Sequence, residues 1–301
     1  MEFSGEKEMS KKGVVVSIDE KPSEWRTWEG LHPDILASIF LRLAVEEISR
    51  CVPLVCKPWM EVASGPYCWI DIDIQAWCRR CNRSLRAVNR AVNKLIRRSN
   101  FTVERLFVYR MGSSGFLSVV NCPCLKVLEV PLSRFTDTLV LNHLKPLPNL
   151  RVLNINYCSK ISAKGLAAFG NQCKSLLHLK RNLPPQRYWP VDNSEAKTIA
   201  DTMPNLQRIE LCFGSFSDWG LSEILTKCKS LTHLDIRGCW NVKLNGDLKK
   251  MCGKLECFQI HPSDFSEQDQ LRLFYRYWKV NENETDLFVE LQTYWNEIRI
   301  R

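Results

Sequence analysis

A short apolar pattern, Leu-x-x-Leu-x-Leu with other apolar residues admitted, recurs along this chain and constrains its fold more than any other feature. It is read at Leu125/Leu128/Val130, Leu150/Leu153/Ile155, Leu206/Ile209/Leu211, Leu231/Leu234/Ile236 and Leu255/Phe258/Ile260, preceded by Val103/Leu106/Val108. Leu176/Leu179 continues the series, with Arg181 breaking its third apolar position. From Leu125 onward the first positions are separated by 25, 26, 30, 25 and 24 residues. A period of that length marks an array whose units bury their apolar faces only against one another. Within a strand, two-residue alternation turns the first, fourth and sixth positions inward and the third, fifth and seventh outward. The return segments are helical in period: Ile161, Leu166 and Phe169, and again Phe216, Leu221 and Leu225, fall on one face. The expected fold class is therefore α/β, a solenoid of short parallel strands on the concave face with helices outside.

The cysteines follow the same period. Cys122, Cys173, Cys228 and Cys252 each lie three residues before the first leucine of a unit, and Cys158 and Cys239 lie three after its third apolar position. Such spacing points to small buried thiols filling corners of the array. The rival reading is a metal site at Cys78-x-x-Cys81 and Cys122-x-Cys124, but repeat features stand between the pairs. No metal or other cofactor is expected. Nor does the chain carry a Walker loop, Gly-x-Ser-x-Gly, His-Glu-x-x-His or a dinucleotide fingerprint, and its five histidines are scattered, so no catalytic residues are assigned.

Ahead of the repeats stands Leu31-His32-Pro33-Asp34-Ile35-Leu36, then Ile39-Phe40 and Leu43, followed by apolar segments through Ile48 and Val52 and by Val55-Cys56-Lys57-Pro58-Trp59 and Trp69. Three such short helices bury little by themselves, which leaves part of their apolar stripe for a partner. Over residues 25–73 the chain resembles an F-box, and with the repeats it is most similar to plant F-box/leucine-rich-repeat proteins of the cysteine-containing class. The resemblance implies a three-helix F-box that docks a Skp-type adaptor, and through it cullin and RING subunits, while the repeats hold a protein to be ubiquitinated. It implies an adaptor face made of Leu31, Pro33, Ile35, Leu36, Ile39, Phe40, Leu43, Ile48, Val52, Val55, Cys56, Trp59 and Trp69. Two departures are visible: His32 stands where the family has proline, and Pro58 predicts a kink at Trp59 if the third helix starts near Pro53. The alternative is a leucine-rich-repeat scaffold that binds a partner outside any ligase.

The remaining segments divide the chain. Residues 1–24 read as a disordered start, their only apolar run being Val14 to Val16, too short for a secretory signal. With no apolar run long enough to span a membrane, a cytoplasmic or nuclear protein is expected. Residues 74–100 read as a basic linker helix. Between Cys78 and Arg110 ten lysines and arginines face Glu104 alone, a surplus of nine that equals the net charge of the whole chain. A solvated face and a docking patch for an acidic or RNA partner both fit; no aromatics interleave with the cations, so nucleic acid is disfavoured. About seven repeats occupy 101–262 and a C-terminal helical cap 263–301. The substrate surface is expected at outward strand positions His178, Lys180, Asn182, Arg208, Glu210, Cys212, His233, Asp235 and Arg237. Tyr188 and Trp189, in the Pro-rich insertion of the longest unit, are either an aromatic anchor beside it or packed onto the array.

Overall fold

The computed structural model describes residues 28–80, 84–185, 190–260 and Arg272. The N-terminal unit contains α1 (Pro33–Phe40), α2 (Val45–Arg50) and α3 (Lys57–Ser64). Both sequence departures are absorbed at helix starts. His32 is the N-cap of α1 with Pro33 in its first turn. Cys56 is the N-cap of α3 with Pro58 in its first turn, where a missing N–H costs nothing, so the expected kink at Trp59 does not arise.

Eight parallel strands of three residues follow: β1 (Asp71–Asp73), β2 (Arg105–Phe107), β3 (Val127–Glu129), β4 (Val152–Asn154), β5 (His178–Lys180), β6 (Arg208–Glu210), β7 (His233–Asp235) and β8 (Cys257–Gln259). They lie in one sheet in sequence order, each in register with the next, as in Leu128↔Leu153 and Leu153↔Leu179. This confirms the α/β solenoid. The array starts one unit earlier than the leucine pattern suggests. Trp69, Ile72 and Ile74 hold the first, fourth and sixth positions around β1, and all three are buried. Consequently the basic helix α5 (Leu85–Arg98), which follows α4 (Gln75–Arg80), is no free linker: it packs on α6 (Ser113–Val119) as part of the outer layer. It buries Val88, Val92, Leu95 and Ile96, with Ser84 as N-cap. The outer layer continues through α7 (Asp137–His143), α8 (Ala163–Gln172), α9 (Ser194–Thr202), α10 (Asp218–Lys227) and α11 (Leu248–Cys252).

The turn out of each strand repeats as well. The eighth motif position is left-handed at Arg110, Leu132, Tyr157, Phe213 and Gly238, with φ of 60°, 56°, 59°, 61° and 77°. Such a backbone costs a non-glycine residue about 1–2 kcal/mol. The same position is tied to the next unit: the Leu132, Tyr157 and Phe213 N–H groups donate to the Asn156, Asn182 and Arg237 carbonyls at 2.8, 2.8 and 2.9 Å. Leu183 holds the same position in the 30-residue unit without this conformation, because Pro184 after it drives its backbone extended. Its N–H still donates to the Cys212 carbonyl of the next unit at 2.9 Å, as its counterparts do.

Helix starts are tied across units by side-chain oxygens. Asp137 accepts from the Ser162 and Gly165 N–H groups at 2.9 and 3.0 Å, and Asn193 from the Ser217 N–H at 2.9 Å. Asp218 accepts from the N–H groups of Lys243, Leu244 and Asn245 at 2.7, 3.0 and 3.0 Å. The cysteines at the corners, Cys122, Cys158, Cys173, Cys228, Cys239 and Cys252, are all buried. The expected disordered start and helical cap lie outside the described residues, apart from Arg272.

Candidate functional site

Two surfaces carry the residues singled out by sequence. On the N-terminal unit the expected adaptor set splits in two. Leu36, Phe40, Ile48, Val52 and Trp69 are buried within this chain, so they are core of the helical unit and not surface open to a partner. Phe40 meets Trp59 edge to face at 5.1 Å between ring centroids, and the Trp69 indole donates to the Ala63 carbonyl at 3.0 Å. Pro33, Ile35, Ile39, Leu43 and Val55 are exposed, while Leu31, Cys56 and Trp59 are half-buried. Ile35 keeps 51% of its surface open and Val55 58%. Sequence reasoning missed Leu54, 84% exposed, and Met60, which extend this apolar rim. Leu54 sits in the turn between α2 and α3, where no helical stripe announces a direction.

The second surface is the concave face of the sheet. The third and fifth motif positions point outward as alternation requires: His178, Lys180, Glu210, His233 and Asp235 are half-buried and Arg208 is exposed. The seventh positions depart from expectation. Asn182 and Cys212 are buried, because the strand has ended and the chain is already turning inward. Their neighbours form a ladder there. The Asn182 N–H donates to Asn156 Oδ1 at 2.8 Å, and the Cys212 N–H to Asn182 Oδ1 at 2.8 Å. Arg237 is half-buried and pairs with Asp235 at 2.6 Å. Arg181, read as a break in the pattern, stays in its inward position and is buried. It pairs with Glu195 at 2.9 Å and donates to the Cys158 and Ile161 carbonyls at 3.1 and 2.5 Å. Tyr188 and Trp189 lie outside the described residues.

Electrostatically the concave face is mixed. Burial, then Arg208, Lys180 and His233, hold the His178 imidazole below the usual histidine range. Burial pushes the Glu210 carboxyl up, against Lys180 at 3.7 Å and with Asp235. No nucleophile stands out. Burial raises the thiols of Cys122, Cys158 and Cys173 to about 12 and those of Cys228 and Cys252 to about 11, where they are inert. Among the described residues no three His, Cys, Asp or Glu side chains gather as metal ligands, and no helix is long and apolar enough to cross a membrane.

Both surfaces present side chains suited to binding. A leucine-rich-repeat family model matches residues 147–170, the span containing β4 and most of α8. Among curated proteins the chain is 37% identical to F-box protein FBW2 of Arabidopsis thaliana over 77% of its own length and 74% of that protein's. It is 31% identical to F-box protein SKIP19 from the same plant, over 80% and 79%. With putative F-box/LRR-repeat protein 22, also from Arabidopsis, it shares 32% identity over 79% and 76%.

Proposed function

The chain belongs to the F-box/leucine-rich-repeat proteins, and from that premise we propose that it is a substrate receptor of an SCF-type ubiquitin ligase. In this reading the F-box docks a Skp-type adaptor, which brings cullin and RING subunits, and the concave face of the repeats holds the protein to be modified. The observation that carries it is the open rim of Ile35, Ile39, Leu43, Leu54 and Val55 over a closed helical core. Five exposed aliphatic side chains on so small a unit are costly in water unless a partner covers them. The receptor has no bond-breaking step of its own. Its rate effect is proximity: it holds a lysine of the target beside a charged conjugating enzyme carried by the other subunits.

Affinity capture from a plant extract tests the reading with full-length wild-type chain and an Ile35→Asp/Leu54→Asp variant. Wild type should recover a Skp-type adaptor with cullin and a further set of proteins; the variant should lose adaptor and cullin and keep that further set. Recovery of partners without adaptor by wild type would instead establish a scaffold outside any ligase.

A further inference from the structure

The concave face is sorted by chemistry along the array, and this sorting names the kind of partner it fits; the inference rests on the receptor reading above. Along the third motif position the residues run Arg105, Val127, Val152, His178, Arg208 and His233 from β2 to β7. Along the fifth they run Phe107, Glu129, Asn154, Lys180, Glu210 and Asp235 from β2 to β7. A hollow of about 310 Å³ lies across the join. Phe107, Val127 and Val152 make an apolar floor with Arg105 and Glu129 beside it, and Lys180, Arg208 and Glu210 line the other end with the His178 ring.

The carboxylates nearby are already engaged. Glu129 accepts from the Asn154 amide at 3.1 Å, Glu210 faces Lys180 at 3.7 Å, and Asp235 is held by Arg237 at 2.6 Å. Lys180 is thereby paired, and Arg105 pairs with Asp71 at 2.6 Å, but Arg208 is not matched. Arg208 is exposed and makes no ion pair among the described residues, and the His178 ring has no hydrogen-bond partner there. His233 has only Glu256 at 3.8 Å and the Thr232 hydroxyl at 2.8 Å. One unmatched cation, Arg208, thus sits beside an open apolar floor, with the His178 ring next to it.

We propose that this hollow receives a linear segment of a protein partner presenting an apolar side chain next to an acidic one, the first seated over Phe107, Val127 and Val152 and the second received by Arg208 and His178. The spacing follows from the sheet. Val152 and Arg208 lie two strands apart, ~9.6 Å at ~4.8 Å per strand, and alternate side chains of an extended segment are ~6.8 Å apart. The reach of the arginine closes the difference, so the acidic and apolar residues should be two apart. A nucleic-acid strand fits poorly, since Glu129, Glu210 and Asp235 would face its phosphates.

Selection of a displayed random heptapeptide library on the full-length chain tests this, with adaptor capture scored on the same preparation. Wild type should enrich peptides carrying Asp or Glu two residues from Leu, Ile, Val or Phe. Arg208→Glu should lose their retention at least about tenfold and favour Lys or Arg at that place, with Arg208→Gln intermediate and all melting temperatures unchanged. No enrichment, enrichment without acidic residues, or retention by Arg208→Glu within twofold of wild type overturns the inference. If adaptor capture persists in that case, the receptor reading stands without it; if wild type fails to capture adaptor, that reading falls itself.

Discussion

Truncating Leu54 and Ile35 together to alanine separates docking from folding, because neither side chain is needed by the core beneath. Leu54 leaves 84% of its surface open and Ile35 51%. Full burial of such a side chain is worth about 1.5–3 kcal/mol, so a covering partner gains about 1.3–2.5 from Leu54 and about 0.8–1.5 from Ile35. Alanine retains one methyl group at each place, which leaves an expected combined loss of about 1.5–3 kcal/mol. That is about ten- to 150-fold in the dissociation constant. The assay is calorimetric titration of a purified Skp-type adaptor into the full-length chain, with the melting temperature of each variant measured beside it. The contrasting variant is Phe40→Ala, which empties a buried aromatic site and should cost about 3–5 kcal/mol of stability in the helical unit. Adaptor affinity within twofold of wild type for the Leu54/Ile35 double variant, at unchanged melting temperature, would refute the docking rim.

Other consequences are as concrete. Gly238→Ala forces a side chain into a left-handed position facing the Phe213 ring, and should lower stability by about 1–3 kcal/mol in a urea melt. A bulky thiol reagent should leave Cys158, Cys173 and Cys228 unmodified in the native chain and label them at once in denaturant, as burial and raised thiol pKa both require. Burial lifts the Asp218 carboxyl, but the backbone N–H groups of Asn245, Lys243 and Leu244 outweigh it and hold it below the usual carboxylate range. A depressed folded pKa contributes stability that is fully present above the unfolded value of about 4 and is lost as pH falls through the folded one. Acid melts should therefore show a steeper loss below pH 4 for wild type than for Asp218→Asn.

Most of the array was legible because alternation and a near-constant period are properties of the chain itself. Seven strands fall where the leucines place them, and the six corner cysteines are buried. The eighth strand escaped because Trp69, the leading residue of the first unit, also ends the F-box motif, and 34 residues separate it from Val103. The seventh motif positions failed for a different reason. Alternation holds only while the backbone is extended, and Asn182 and Cys212 stand just past that point. On the N-terminal unit, periodicity identified the apolar stripe but could not divide it: Leu36 and Ile35 are neighbours in sequence, yet one is sealed in the core and the other half open. That division depends on where α3 lies against α1, which is a tertiary fact.

Trp69 has one further consequence. Fully buried, it donates to Ala63 of the helical unit, leads into β1 of the sheet, and has the Arg98 guanidinium of the basic helix 5.1 Å from its ring centroid. One buried residue is therefore shared by the helical unit and the first unit of the array, and the number of units becomes a measure of length. From β1 to the cationic strands β5 to β7 there are four to six spacings, about 19–29 Å along the sheet. On the receptor reading, that distance sets which lysines of a held partner come within range of the conjugating enzyme. Inserting one further unit between β1 and β2 would leave the residues of both binding surfaces in place and shift the modified lysines along the target: the solenoid is a ruler as much as a hand.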